Sequence, residues 1–287
     1  MIKFTSLLAT ALLTVGLSAP AVLGAETAAE PAKQQWSFAG PFGTYDKNQL
    51  QRGFQIFKDV CSGCHSAKLL AFRNLSEPGG PEFTEAQVKA LAATYSVADP
   101  DADGGKRPGV LADRWPGTGQ SDADLKGTFG IVPPDFSVLA KARIMPDEGF
   151  SWLLNYFTTY SEAGPDYIHA LLTSYKEAVP EGEVDSQGKP FALPDGKYYN
   201  SVFPGHAIGM PPPLSDGAVT YSAAADGTTV PATLDQYSKD VAAFMMWVAE
   251  PHLNATKEAG FRVIIFLLLF AALLYMVKQK IWRHVEH

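Results

Sequence analysis

The sequence predicts a mainly α-helical domain with long loop insertions, tethered by one C-terminal transmembrane helix. Three observations carry this reading. The chain opens with a charge followed by an apolar stretch, its middle holds segments of helical periodicity separated by polar loops, and it closes on an apolar run with a basic cluster behind it. Few segments read as strands, and no internal repeat is visible.

Residues 1–25 read as a secretory signal. Met1-Ile2-Lys3 supplies one positive charge, Leu7 to Leu17 is apolar, and small residues follow. Cleavage fits after Ala19-Pro20-Ala21 or at Gly24 or Ala25, and the later site leaves an acidic start at Glu26. A permanent anchor fits less well, because the apolar core is short for a span and its downstream flank is not basic.

Leu50, Phe54 and Phe57 recur at helical spacing over 46–60, so a helix should run directly into residue 61. Thr84-Glu85-Ala86-Gln87 is a capping-box pattern for a helix reaching about Tyr95. Residues 99–124, rich in Gly, Asp and Pro, read as a surface excursion. Pro133-Pro134-Asp135 precedes an apolar, basic segment with Lys141 and Arg143. Residues 147–160 and 166–175 look like two helices separated by Gly164-Pro165, with Trp152, Leu153, Tyr156 and Leu171 available to a core. A polar loop spans 181–195, and Thr233-Leu234-Asp235-Gln236 opens a helix that ends at Glu250-Pro251.

The last element, 257–280, reads as a membrane anchor. From Ala259 to Val277 the 19 residues make about 28 Å of helix, close to a bilayer core of about 30 Å. Arg262, the one charge in the run from Phe261, lies near its end and can snorkel. Lys278, Lys280, Arg283 and His284 follow, so the positive-inside rule places 281–287 in the cytoplasm and 26–256 in the periplasm of a bacterium. Length, lack of polar periodicity and the basic stop argue against a buried core helix.

Between Glu26 and Glu258 there are 18 Lys and Arg against 29 Asp and Glu, a balance of −11 compared with −7 for the whole chain. This argues against nucleic acid, which needs a basic footprint. A solvated acidic surface and the steering of a cationic partner both explain it, and loop 181–185 is a candidate for the latter. About 230 residues are ample for one core.

The chemistry sits at Cys61-Ser62-Gly63-Cys64-His65, which contains the only two cysteines of 287 residues. At this spacing two thiols add to the vinyl groups of a haem while the adjacent histidine binds the iron. Two cysteines cannot make a four-thiolate zinc site. A thioredoxin-like redox pair is the competing reading. The adjacent histidine, the export signal and a downstream methionine loop argue against it.

His65 leaves one axial position open. Met210, in the loop from Pro204 to Leu214, is the leading candidate, with nearby His206 as the alternative. A thioether is a soft ligand that raises the potential, and a Pro- and Gly-rich loop stiff enough to hold it suits an electron carrier. Met145, Met245, Met246 and Met276 read as core or membrane-facing. His169, His252, His284 and His287 read as surface or packing residues.

The run from Tyr198-Tyr199-Asn200 through Phe203-Pro204-Gly205-His206-Ala207-Ile208-Gly209-Met210-Pro211-Pro212 resembles the methionine loop of the cytochrome c1 family, the haem subunit of the cytochrome bc1 complex. Pro133-Pro134-Asp135-Phe136-Ser137, Ala142-Arg143, Asp166-Tyr167, Leu171-Leu172-Thr173-Ser174-Tyr175 and the stretch from Lys239 to Pro251 support it in the same order. The likeness runs from about Trp36 to the C-terminus. It implies a cytochrome c-like haem domain with one covalent haem c, axial ligands His65 and Met210, and thioether attachment at Cys61 and Cys64. It further implies Pro134 packing on the haem and Arg143 pairing with a propionate. The partners implied are cytochrome b, the Rieske iron–sulfur protein as donor and a soluble or tethered cytochrome c as acceptor, in a dimeric complex that oxidises quinol. No bond-making residues are required of this chain.

Some bacterial members carry an extra cysteine pair that steadies the region before the methionine loop. This chain has none, so stiffness there must come from proline or packing. Two other readings stay open from sequence. One is a membrane-anchored cytochrome c of another respiratory chain. The other is a haem enzyme or sensor with an open iron site, which would bind carbon monoxide or cyanide.

Overall fold

The computed structural model describes residues 28–143, 163–221 and 229–283. The signal segment, the helix expected over 147–160 with Trp152, Leu153 and Tyr156, and the last four residues lie outside the described residues. In chain order the helices are α1 (Lys47–Asp59), α2 (Glu85–Ala93), α3 (Asp122–Phe129), α4 (Leu139–Ala142), α5 (Ala163–Thr173), α6 (Leu234–Ala249) and α7 (Leu253–Trp282). Five short strands are interleaved: β1 (Ser96–Ala98), β2 (Lys106–Pro108), β3 (Tyr175–Lys176), β4 (Tyr198–Asn200) and β5 (Ala207–Ile208). The mainly helical reading holds.

Two amphipathic helices set the frame. In α1 the apolar stripe Leu50, Phe54, Ile56 and Phe57 is buried, and the Asp46 carboxylate caps the helix by accepting from Gln49 N at 2.8 Å. In α6, Thr233 accepts from Gln236 N at 3.3 Å, and Tyr237, Val241, Phe244, Met245 and Trp247 face inward. The helices cross at Gly53, where a Cβ would lie 2.1 Å from the Asp240 carbonyl oxygen and 2.6 Å from the Phe244 Cβ. Only glycine permits that approach. Beside the crossing, Arg52 donates to Asp240 from Nε at 2.7 Å and from a terminal nitrogen at 3.1 Å. Tyr221 Oη at 2.8 Å and Gln236 Nε2 at 2.9 Å complete the shell around this fully buried carboxylate. Phe54, Phe57, Phe72, Trp115 and Phe244 fill the space beneath, with Phe57 and Trp115 ring centres 5.2 Å apart.

Three sequence expectations change. Gly164-Pro165 does not precede the helix expected from 166 but lies in its first turn, since α5 starts at Ala163, and there proline costs no intrahelical bond. Gly164 is there for a close approach, since a Cβ would lie 1.7 Å from the Ala140 carbonyl oxygen. The surface excursion contains structure: β1 and β2 pair antiparallel, and α3 begins at Asp122 with a capping box at Ser121. The anchor helix is longer than expected, starting at Leu253.

Its 30 residues make one helix long and apolar enough to cross a membrane. The base of α7 is tied to the domain. Asn254 Oδ1 accepts from Tyr45 N at 3.2 Å, and Lys257 Nζ donates to the carbonyls of Phe38 and Gly43.

Candidate haem site

α1 ends at Asp59 with Val60 as its cap, and the chain winds at once into a tight turn at Cys61–Gly63. Cys64 N and His65 N both donate to the Cys61 carbonyl, at 3.1 and 2.9 Å, so the thiols and the imidazole share one rigid frame. Burial, reinforced by the neighbouring Cys64, pushes the Cys61 thiol up to about 12.

His65 is held from the opposite strip of chain. Its Nδ1–H donates to the Pro134 carbonyl at 2.8 Å, and the Phe136 ring lies tilted against it with ring centres 4.5 Å apart. Because a carbonyl can only accept, this bond fixes the tautomer and leaves the Nε2 lone pair for a metal. Burial lowers the His65 pKa against the opposing pull of Pro134 and Asp135, which favours the neutral, ligating form.

Asp135 locks the two strips together. Its carboxylate accepts from Ser66 Oγ at 2.7 Å, Lys68 N at 2.9 Å and Ser137 N at 2.8 Å. Phe136 N donates to the Ser66 carbonyl at 2.7 Å, and Leu69 N to Ser137 Oγ at 2.9 Å. Burial works to raise the Asp135 pKa, but the hydrogen bonds from Ser137, Ser66 and Lys68 outweigh it and hold the group below the usual carboxylate range.

The methionine loop is held by a small sheet rather than by proline alone. β4 pairs with β3 (Tyr175↔Asn200) and with β5 (Tyr198↔Ile208), and Met210 lies two residues beyond β5. Asn200 closes the hairpin: its Oδ1 accepts from Val202 N and Phe203 N, both at 3.1 Å, while its Nδ2 donates to the Leu171 carbonyl at 2.8 Å. From β3, Tyr175 Oη donates to the Met210 carbonyl at 3.1 Å.

These parts enclose one cavity of about 330 Å³, within the roughly 300–1,000 Å³ of small-molecule sites. Cys61, Cys64, His65, Pro134, Arg143 and Met210, the full predicted set, all line it. Its walls are otherwise apolar. They come from α5 (Ile168, Leu171, Leu172), α6 (Val241, Met245) and the segment with Phe129 and Ile131. Arg143 is the one Lys, Arg, Asp or Glu among the described residues that line it. A second thioether, Met245, also reaches the wall, although its helical setting reads as core from sequence.

His206 does not line the cavity. Its Nδ1–H donates to the Asn200 carbonyl at 3.2 Å, its Nε2 lies 3.5 Å from Glu183, and its ring stacks on Tyr199 at 5.5 Å. The supporting groups Tyr175, Asp135 and Phe136 were missed as site residues, because none carries a ligating signature.

The donor set suits a c-type haem: a neutral imidazole with Nε2 free, two thiols in one turn, two thioethers, and one cation in an apolar slot. The model of the cytochrome c1 family matches residues 36–285.

The chain belongs to the cytochrome c1 family.

Cytochrome c1 of Blastochloris viridis is 45% identical over 96% of this chain and 94% of its own length. The cytochrome b/c1 protein of Bradyrhizobium diazoefficiens is 48% identical over 88% of this chain, which spans only 36% of that longer protein. The mitochondrial cytochrome b-c1 complex catalytic subunit of Candida albicans is 35% identical over 94% of this chain and 84% of its own length. The family is the haem subunit of the bc1 complex, and membership implies a c-type haem and an electron-transfer role. One apolar C-terminal helix fits a single-pass membrane protein.

Proposed function

We propose that this chain carries single electrons from the Rieske iron–sulfur protein to a soluble or tethered cytochrome c, inside a dimeric ubiquinol–cytochrome c reductase that also contains cytochrome b. Cys61 and Cys64 would hold one haem c covalently, and His65 and Met210 would be the side chains that ligate its iron. The observation that carries this is the gathering of all six predicted residues around one apolar cavity.

The haem supplies the one-electron chemistry. Pro134 and Phe136 orient His65, Tyr175 and the β3–β5 sheet hold Met210, and Arg143 offers a charge-assisted partner for a propionate. The apolar walls exclude water. Both the low dielectric and the thioether favour the reduced state, raising the potential. In this arrangement 1–25 is a cleaved signal, 26–256 the periplasmic haem domain, 257–280 the anchor and 281–287 a cytoplasmic tail.

The test is a redox titration of the detergent-solubilised full chain, with the near-infrared methionine–iron band recorded in the oxidised form. Met210→Leu should keep the haem covalently attached, abolish the band and lower the potential by on the order of hundreds of millivolts. Met245→Leu should keep both. His65→Ala should impair haem retention and assembly far more than either. Loss of the band in Met245→Leu with its retention in Met210→Leu would assign the sixth ligand to α6 instead.

A further inference from the structure

We propose that the turn at residues 40–43 makes a second contact with the membrane, seating Phe42 in the lipid beside the point where α7 enters the bilayer. Among the described large hydrophobic residues Phe42 is the most exposed, at 77%, ahead even of those on the bare face of the anchor helix. Four residues earlier Phe38 is fully buried and packs between Trp36 and Tyr45, at 5.4 and 5.0 Å. The turn therefore has an inward aromatic at its base and an outward one at its tip.

The position of the turn along α7 gives the exposed ring its partner. The base of the turn is clamped: Thr44 N donates to the Ser37 carbonyl at 3.0 Å, and Lys257 Nζ binds the carbonyls of Phe38 and Gly43. The tip lies against Phe261, with ring centres 5.8 Å apart in an edge-on arrangement. Phe261 is four residues beyond Lys257, one helical turn or about 6 Å nearer the membrane. It is also the residue at which the apolar run of α7 begins. The tip thus points along the helix toward the bilayer and extends the apolar surface of the span sideways.

Polar groups stop at the same level. Arg262 is engaged by Glu258 at the boundary, and the next charge is Lys278. An aromatic ring fixed at that boundary occupies the interfacial zone, where rings partition favourably. Continuity with the membrane-spanning surface commits the occupant to lipid rather than to a water-borne partner. Gly40, at φ +70°, gives the turn a conformation that holds Pro41 and Phe42 at the tip.

The test uses the full chain in native membranes, with benzoylphenylalanine placed at position 42 by codon suppression and irradiated. Position 266 in the apolar run serves as the lipid-facing control, and position 69, exposed on the domain, as the water-facing one. Intact mass should show phospholipid adducts at 42 and 266 and none at 69. Adducts at 42 only to another polypeptide, or no adduct while 266 reacts, would overturn the proposal. Where the photoprobe lowers haem content, Phe42→Trp answers the same question. Its added fluorescence should be quenched at least twofold more by brominated phospholipid than by aqueous iodide, and the opposite order would overturn the proposal. Neither readout depends on which side chain ligates the iron.

Discussion

Tyr175→Phe isolates the single side-chain bond that ties the Met210 backbone to the sheet. The substitution keeps the ring and leaves the Tyr175↔Asn200 pairing of β3 with β4 in place, so the hairpin itself survives. It removes one hydrogen bond, Tyr175 Oη to the Met210 carbonyl at 3.1 Å. A bond between neutral groups is worth a net of about 0.5–1.5 kcal/mol. If that bond stabilises only the loop-closed state, the loop-detached population should rise by roughly 2- to 10-fold. With Met210 as the sixth ligand proposed above, exogenous imidazole would bind where the thioether has left, and its apparent Kd varies inversely with the competent fraction. Imidazole should therefore bind about 2- to 10-fold more tightly to the variant, followed through loss of the near-infrared band. Burial raises the Tyr175 phenol well above the ordinary tyrosine range, so the group remains a donor throughout such an assay. An unchanged imidazole affinity would refute the tether. So would a lower melting temperature with unchanged affinity, which would make Tyr175 merely a packing residue.

Two further outcomes follow from the hydrogen-bonded carboxylates Asp240 and Asp135. Asp240→Ala leaves Arg52, Tyr221 and Gln236 without their common acceptor, and should cost about 3–5 kcal/mol, on the order of 10 °C in a melt; a loss below about 1 kcal/mol would refute the pairing. Asp135→Asn should cost about 1.5 kcal/mol at neutral pH, the low end for bonds to a charged group because the site is partly exposed. Since the folded pKa of Asp135 is depressed, that stability is complete above the unfolded value of about 3.9 and is lost as the pH falls through the folded one. Paired melts of parent and variant should therefore converge below about pH 4, and a constant gap down to pH 2 would contradict this.

The parts of the site visible in the sequence were those whose chemistry is local. Cys61, Cys64 and His65 fall within five residues, so covalent geometry nearly dictates their frame. The helices around them follow from apolar spacing and caps, as at Asp46, Thr84 and Thr233. What stayed hidden depends on contacts between distant segments. The Pro134 carbonyl reaches His65 across 69 positions, and Tyr175 reaches Met210 across 35. A backbone acceptor has no residue signature, and a tyrosine in a two-residue strand carries no periodicity to read. To the stiffness expected from proline or packing in the methionine loop, the fold adds a three-stranded sheet. Its strands are two or three residues long, below the length at which alternation becomes legible.

His206 shows how such distant contacts decide a question that proximity in sequence leaves open. Four residues from Met210, it reads as a competing ligand. In the fold its ring is fixed by the Asn200 carbonyl, by Glu183 and by the stack on Tyr199, and its backbone sits at φ +52°. That conformation costs a non-glycine residue roughly 1–2 kcal/mol, so these contacts must offset it, and the ring belongs to the closure of the hairpin. To enter the cavity, which it does not line, its ring would have to leave these contacts. The two roles give opposite signs in one measurement. Removing a hairpin closure with His206→Ala should loosen the loop and raise the fraction of protein whose thioether is displaced. Removing a competing ligand should lower that fraction. An increase, read as greater loss of the near-infrared band at a fixed imidazole concentration, supports the structural role, and a decrease would restore His206 as a rival to Met210.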